Sequence, residues 1–251
     1  MKVSIVTPTY NSEKFIERTA KSVLNQTLID WEWIIVDDMS NDNTKEILNK
    51  LKKQDKRIKC YFSEENKGSG PTRNKAIEIA SGDYIAFLDS DDLWIPEKLQ
   101  LHVDFMEKKQ SVFSHTSYGF IDENDNRIKN IYHVSNFPIT YKDLLKRTEI
   151  SCLTAMYNQK KIGKFYMPNL RKKQDYALWL SILKKGYVSD PLDYETAFYR
   201  QHANSITSNK LTLIFKHWKF LNQNENLNWF KSMYYTFSWG LGGFKKYYMS
   251  K

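Results

Sequence analysis

The chain has 251 residues, 41% of them hydrophobic and 27% charged, with nine glycines and six prolines, so it can bury a sizeable core and is neither collagen-like, low-complexity nor disordered throughout. Two cysteines, Cys60 and Cys152, exclude a disulfide framework and a four-thiolate metal site, and they read as buried thiols of a reducing compartment. The net charge of +9 is local: residues 201–251 carry seven lysines against one acid, Glu225, together with twelve aromatic residues, and so supply +6 of it.

Through the first 120 residues, apolar β-branched runs alternate with helical patterns, as in a layered α/β domain with a mostly parallel sheet. Residues 3–7 read as a first strand. Ser12 is a candidate cap for a helix whose apolar face is Ile16, Ala20, Val23 and Leu24. A strand over 33–37, a helix over 41–53 and a strand over 58–62 follow. After the Gly68-Ser-Gly70 turn, a helix over 72–80 stops at Gly82, and a buried strand over 84–88 runs into Asp89-Ser-Asp-Asp92. Pro96 suits the first turn of a helix reaching about 108. Alternation over 111–122 and 127–134, around Asn124-Asp-Asn126, predicts a hairpin. A short helix over 141–147, a strand over 151–157 and a helix over 174–185 complete a body of residues 1–205. Its nucleotide-binding half covers about 1–110 and its acceptor half about 111–205. Residues 206–251 read as a helical, basic, aromatic tail.

In open α/β sheets the ligand lies beyond the carboxyl ends of the strands, where the strand order reverses. Thr7-Pro-Thr-Tyr-Asn11, Asp37-Asp38 and Asp89-Ser-Asp-Asp92 all fall at such ends. Carboxylates converging there repel one another unless a cation or a donor-rich ligand lies between them, and Mg²⁺ or Mn²⁺ on a phosphorylated substrate meets that need. Any one of these acids alone reads equally as a helix cap or a solvated turn.

Five segments in order, Val3-Ser-Ile-Val-Thr-Pro-Thr-Tyr-Asn11, Ile34-Ile-Val-Asp-Asp-Met-Ser40, Asn66-Lys-Gly-Ser-Gly-Pro-Thr-Arg-Asn74, Gly82-Asp-Tyr-Ile-Ala-Phe-Leu-Asp-Ser-Asp-Asp92 and Gln174-Asp-Tyr-Ala-Leu-Trp-Leu180, resemble family 2 glycosyltransferases. These are inverting enzymes of the GT-A fold that use nucleotide-diphosphate sugars. The resemblance spans about residues 1–205. It implies that Thr7, Pro8, Thr9 and Tyr10 frame a uridine and that Asp38 receives the uracil N3–H. Arg73 would lie on the base and pyrophosphate side. Asp89 would approach the ribose across Ser90, and Asp91 would hold Mn²⁺ or Mg²⁺ on the pyrophosphate. Asp175 corresponds to the general base. Two departures stand out: Gln174 replaces the Glu that often precedes that Asp, and Pro71-Thr72 replaces the Ala that often precedes the Arg-Asn pair.

The chemistry agrees with these roles. Displacing a nucleotide diphosphate from an anomeric carbon passes through an oxocarbenium-like state, which needs a counter-charge for the leaving group and a base for the attacking hydroxyl. His202 could reach the metal or the diphosphate, or be an ordinary loop histidine, and Arg200 could assist the leaving group. Trp94 and Trp179 could stack on a sugar, although Trp179 has the spacing of a packed helix residue. The tail's rings and lysines suit a membrane interface, in keeping with the acceptor on a polyprenyl diphosphate, as in bacterial surface polysaccharide assembly, that the family resemblance implies; an ordinary helical cap is the alternative. Nucleic acid is not expected, since residues 206–251 hold no arginine and no binding motif. No apolar run approaches the roughly 18 residues of a membrane span. The reading is therefore a cytoplasmic protein, peripheral on the inner face of the plasma membrane. A nucleotidyltransferase is disfavoured because Thr7-Pro-Thr-Tyr-Asn11 lacks a glycine-rich loop, and a non-catalytic nucleotide-sugar or lipid-binding module is the remaining alternative.

Overall fold

The computed structural model describes residues 2–202 and 210–248. Among them β1 (Val3–Thr9), β2 (Trp31–Asp37), β3 (Ile58–Phe62) and β4 (Tyr84–Phe87) form a parallel block in the order β3-β2-β1-β4. The sheet continues through β8 (Met156–Tyr157), β6 (Phe113–Ile121), β9 (Asp190–Arg200) and β5 (Leu93–Trp94), with β7 (Arg127–Tyr132) paired to β6. Every residue of β1 and β2 is buried, as expected where helices cover both faces of a sheet. Alternate strand residues therefore enter different cores. Ile5, Trp33 and Ile35 meet Ile16 and Val23 of α1 (Ile16–Leu24) and Leu48 of α2 (Thr44–Gln54). Val6, Ile34 and Val36 meet Ala76 and Ile77 of α3 (Ser69–Ile79) and the α7 (Gln174–Lys184) side chains Leu178 and Trp179. This is the expected mostly parallel GT-A-like layer structure with helices on both sides.

Several local expectations are corrected. Strand β1 runs two residues further than expected, through Pro8. Its register with β4 ends at Val6, so the missing proline N–H falls where β1 has only β2 beside it. Ser12 does not cap α1: the helix starts at Ile16 without a side-chain cap, and the Ser12 hydroxyl instead lies 2.7 Å from Ser90 Oγ. Helix α3 begins at Ser69, three residues early, because Gly68 (φ 84°) turns the chain and Pro71 is tolerated in a first turn whose N–H groups have no helical partner. The role of Gly82 is close approach rather than helix termination, since a Cβ there would lie 2.7 Å from Ser4 N. The strand expected over 151–157 is mostly a 3₁₀ turn (Cys152–Thr154), held by Trp94 Nε1 donating to Leu153 O (2.9 Å) and by Lys98 Nζ donating to Thr154 O (3.3 Å); only β8 remains extended.

The expected hairpin forms between β6 and β7. Helices α4 (Lys98–Lys109), α5 (Tyr141–Lys146) and α7 match expectation to within two residues, while the one-turn α6 (Gln159–Ile162) and strands β5 and β9 were not foreseen. Residues 190–200 carry a proline and three acids, and nothing in the residue pattern marks them as a strand. Their polar side chains find partners far along the chain: Thr196 Oγ1 lies 2.6 Å from Thr116 Oγ1, Asp193 accepts from Ser117 Oγ (2.6 Å), and Glu195 Oε2 pairs with Arg127 (2.7 Å). The tail forms α8 (Lys210–Gln223) and α9 (Trp229–Tyr248). Phe220 and Leu221 belong to the main core. The boundary expected at 205/206 lies outside the described residues.

Candidate active site

Strands β1 and β4 are neighbours, yet their chain connections leave in opposite directions across the sheet, which makes their carboxyl ends the switch point where α/β sheets open a crevice. A cleft of about 270 Å³ lies there, lined by Pro8, Thr9, Tyr10, Asp38, Ser69, Arg73, Asp89, Ser90 and Asp91. Eight of these nine are residues expected from the sequence; Ser69 was not.

Each lining group is held by the fold. The buried Asp38 carboxylate accepts the backbone N–H groups of Lys67 (2.9 Å) and Gly68 (2.7 Å), which bind the loop ahead of α3 to the end of β2 and leave lone pairs for a ligand donor. Arg73 is buried in α3. Its guanidinium pairs with Asp89 and contacts Met167 Sδ at 3.3 Å, while its Nε has no partner among the described residues. Thr9 Oγ1 is likewise buried on the cleft without a partner. Two unpaired buried polar groups at one cleft mark places where a ligand would complete the hydrogen bonding. Thr7 corrects the expectation: with β1 extended to Thr9, Thr7 lies wholly inside and its hydroxyl accepts from Trp33 Nε1 (2.8 Å), away from the cleft. Asp37 is also local, its carboxylate accepting from Ser40 Oγ and the Ser40 N–H.

The Asp89-Ser-Asp-Asp92 turn is fixed from behind. The Thr19 hydroxyl lies 3.0 Å from both Ser90 O and Asp92 O, and the Arg200 backbone N–H donates to Asp92 Oδ1 (2.8 Å). The Arg200 side chain is fully buried and donates to Asp91 O (2.6 Å), Asp122 O (2.7 Å) and Asp125 Oδ1 (2.5 Å) over the Phe15 ring. It braces the turn from behind and does not line the cleft, and its Nη2 is buried without a partner among the described residues. His202 reaches the site: its Nε2 lies 2.7 Å from Asp91 Oδ2, and its ring packs on Phe15 at 5.1 Å. Burial, followed by the charge of Asp89, pushes the Asp91 carboxyl above its ordinary pKa, against the pull of His202.

Among the described residues no group of three or more His, Cys, Asp or Glu side chains is placed to hold a metal ion. Asp91 and His202 could supply two ligands, and a Mg²⁺- or Mn²⁺-type ion completes such a set with water and phosphate oxygens. The donor chemistry fits an ion that arrives with a diphosphate.

Asp175 is half-buried in the first turn of α7. It feels the charges of Arg73 and Asp89, and its neighbour Gln174 accepts a hydrogen bond from cleft-lining Ser69 Oγ (3.1 Å). Burial raises the Asp175 carboxyl above its ordinary range, with Asp89 adding to the effect and the Tyr176 N–H and Arg73 opposing it. Cys152 lies under the same groups, a buried free thiol raised well above its ordinary pKa by burial. Trp94 and Trp179 are core residues: Trp179 packs edge-on against Phe87 at 4.9 Å.

Comparison with known proteins agrees with this architecture. The family model described as Glycosyl transferase family 2 matches residues 4–165. The chain is 41% identical over 244 residues to the putative teichuronic acid biosynthesis glycosyltransferase TuaG of Bacillus subtilis (strain 168), covering 97% of this chain and 96% of that protein. It is 38% identical over 246 residues to the Escherichia coli UDP-Glc:alpha-D-GlcNAc-diphosphoundecaprenol beta-1,3-glucosyltransferase WfgD, covering 98% and 94%. In fold it is similar to S. aureus TarS 1-349 in complex with UDP-GlcNAc, with a TM-score of 0.68 at 22% identity over 99% of this chain and 76% of that one. It is also similar to a Pyrobaculum calidifontis mannosyltransferase in complex with GDP-Man and Mn²⁺, with a TM-score of 0.65 at 16% identity over 94% and 69%. A family match across the strands that build the cleft, joined to relatives at this identity over nearly their whole length, establishes that the chain belongs to glycosyl transferase family 2 and is a glycosyltransferase.

Proposed function

We propose that this glycosyltransferase is inverting, and that it moves a monosaccharide from a UDP-sugar to a hydroxyl of a glycan carried on a polyprenyl diphosphate, in the assembly of a bacterial surface polysaccharide. The observation that carries the reading is the gathering of Asp38, Arg73, Asp89 and Asp91 at one switch-point cleft, with Asp175 on the rigid helix beside it. Asp38 and Tyr10 receive the uracil, Thr9 and Asp89 the ribose side, and Arg73 the base and diphosphate side. Asp91, with His202, holds Mn²⁺ or Mg²⁺, which when bound neutralises charge on the departing diphosphate.

Asp175 takes the proton of the acceptor hydroxyl as its oxygen attacks the anomeric carbon from the face opposite the leaving group. The bond from that carbon to the diphosphate oxygen breaks, so an α-linked donor yields a β-linked product. A carboxylate whose pKa is raised by burial is the better base. The names of the relatives support the substrate class: one acts in teichuronic acid biosynthesis, and another takes UDP-glucose to a diphosphoundecaprenol-linked acceptor.

The tail supports a membrane-seated acceptor. Helix α9 turns Ser232, Tyr235, Thr236 and Trp239 inward and presents Phe230, Met233, Tyr234, Phe237 and Leu241 outward, an apolar row where an ordinary surface helix is polar. No helix among the described residues is long and apolar enough to cross a bilayer. An outward apolar stripe on α9, on a tail that also exposes Lys216, Lys219 and Lys231, suits an anionic lipid interface, which would place the enzyme on the inner face of the plasma membrane.

The test is Asp175→Asn, with UDP-glucose as donor and N-acetylglucosamine on diphosphoundecaprenol as acceptor. Transfer should fall by about 10²- to 10⁴-fold while calorimetric UDP affinity is unchanged. Transfer at the wild-type rate would remove Asp175 from the base role. A panel of UDP-, GDP- and dTDP-sugars should show donor hydrolysis greatest with a UDP-sugar, and preference for another nucleotide would overturn the donor assignment.

A further inference from the structure

Lys173 immediately precedes the base-bearing turn and has no assigned role. It is the N-cap position of α7 in the left-handed conformation (φ 63°, ψ 27°), makes no capping hydrogen bond with its side chain, and accepts through its carbonyl the first bond of the helix, from Ala177 N (3.0 Å). A non-glycine residue in this conformation persists only where its surroundings hold it.

Those surroundings come from the tail. The Lys173 ammonium donates to His217 Nδ1 of α8 and stands over three rings, Trp239 of α9 at 5.0 Å, Phe220 of α8 at 5.6 Å and Tyr176 of α7 at 5.8 Å. The clasp is itself braced. His217 stacks on Trp239 (4.2 Å between centroids, 15° between planes), and Trp239 Nε1 donates to Thr148 Oγ1 (2.7 Å) on the loop that leads to the 3₁₀ turn under the cleft. Burial, with the Lys173 charge, depresses His217 to about 3, so the imidazole is neutral and can accept the lysine's proton donation.

We propose that Lys173 is a positioning residue for Asp175: helices α8 and α9 grip its side chain and thereby fix the first turn of α7 against the cleft. The inference rests on Asp175 being the base. Only Gln174 separates the gripped position from the carboxylate, so releasing the grip lets the whole turn shift, and misplacing a reacting group by about 1 Å can cost roughly 10²-fold. Burial pulls the Lys173 pKa down to about 8, with the Asp175 charge opposing it, and the ring faces and the histidine lone pair hold the ammonium in place.

The experiment compares Lys173→Met, Lys173→Arg and, from the other side of the clasp, Trp239→Leu in the full chain. The donor is UDP-glucose with the diphosphoundecaprenol acceptor, and UDP binding is followed by calorimetry. Lys173→Met and Trp239→Leu should each lower kcat by about tenfold or more with donor KM and UDP affinity unchanged, Lys173→Arg should restore most of the rate, and the double variant should be no worse than the worse single. Amides of residues 174–180 should exchange faster in both single variants. Should Lys173→Met fail to fold, Trp239→Leu carries the same comparison. Unchanged kcat in folded Lys173→Met or Trp239→Leu overturns the proposal, as does a parallel loss of UDP affinity. If Asp175→Asn abolishes transfer while the Lys173 variants do not alter it, the clasp is wrong and the base stands; if Asp175→Asn is fully active, the base assignment falls first.

Discussion

Asp91 and His202 face each other at 2.7 Å across 111 positions of sequence, and their value depends on that contact being made at the cleft. Replacing Asp91 by Ala leaves His202 with no carboxylate at Nε2 and should remove the Mn²⁺-supported part of UDP affinity. The expected loss is about tenfold or more, the scale of one charge-assisted contact at about 1.5–3 kcal/mol. Calorimetry with and without Mn²⁺ reads this directly, and equal affinity in both conditions for wild type and variant would take Asp91 out of the metal role. Asp38, Asp89 and Asp91 were legible at this scale because their acids follow buried apolar strands. Thr7 and Arg200 were not, because neither residue type nor spacing says on which side of a loop a side chain will lie. Gln174 shows what a departure from the family pattern means locally: its amide carbon would lie 3.2 Å from a Cβ at position 70, and its oxygen accepts from Ser69. A neutral amide thus fills the corner between α3 and α7.

At the scale of elements, β1, β2 and β4 carry the site because their carboxyl ends converge, and their other ends are tied by a buried polar knot. The Glu32 carboxylate accepts from Ser4 Oγ (2.7 Å), Lys59 Nζ (2.6 Å), Ser81 N (2.8 Å) and Ser81 Oγ (2.8 Å), and Gly82 N donates to Ser4 Oγ (2.8 Å). Gly82→Ala would push a methyl to 2.7 Å from backbone that cannot yield. It should cost about 2 kcal/mol, measured as a lower urea midpoint, with the cleft residues untouched. Burial alone would raise the Glu32 pKa, but its donors outweigh this and hold it at about 2 instead of the ordinary 4.5. The folded state therefore binds this proton less readily than the unfolded chain. The stabilisation, about 3 kcal/mol, is present above pH 4.5 and is lost as pH falls from there toward 2. Denaturant midpoints of wild type and Glu32→Gln should accordingly draw together as pH falls from 5 toward 2; a constant gap would show that Glu32 does not titrate with folding. Hairpin β6–β7 and the helices other than α6 were readable from period and punctuation, whereas β9 was not, since its acids are paired only by residues distant in sequence, Lys109 of α4, Arg127 of β7 and His133.

For the whole molecule, the tail presents two different faces. Its inner face, with Phe220, Leu221, His217 and Trp239, completes the core and grips Lys173, while Phe230 and Phe237 stand 77% and 69% exposed on the outer face of α9. Replacing both phenylalanines by Ala removes two rings from the proposed lipid contact and touches no core residue. Binding to anionic liposomes should fall by about tenfold or more, with thermal stability unchanged, given roughly 1.5–3 kcal/mol for each fully buried ring. Equal liposome binding by variant and wild type would leave the outer face without a membrane role.

The amino-acid sequence alone determined the layered α/β class, the parallel order of apolar strands separated by helices, the acids at strand ends and the family resemblance, since each is written in residues close together in the chain. Tertiary structure alone decided that Thr7 is core and Thr9 is cleft, that Arg200 supports the Asp91 turn from behind, and that a lysine beside Asp175 is caged by rings from 44 to 66 positions downstream. Side-chain direction at the end of a strand depends on where that strand stops, and desolvation of a charge depends on which distant groups close over it. Both are properties of the assembled packing, not of any local run of residues.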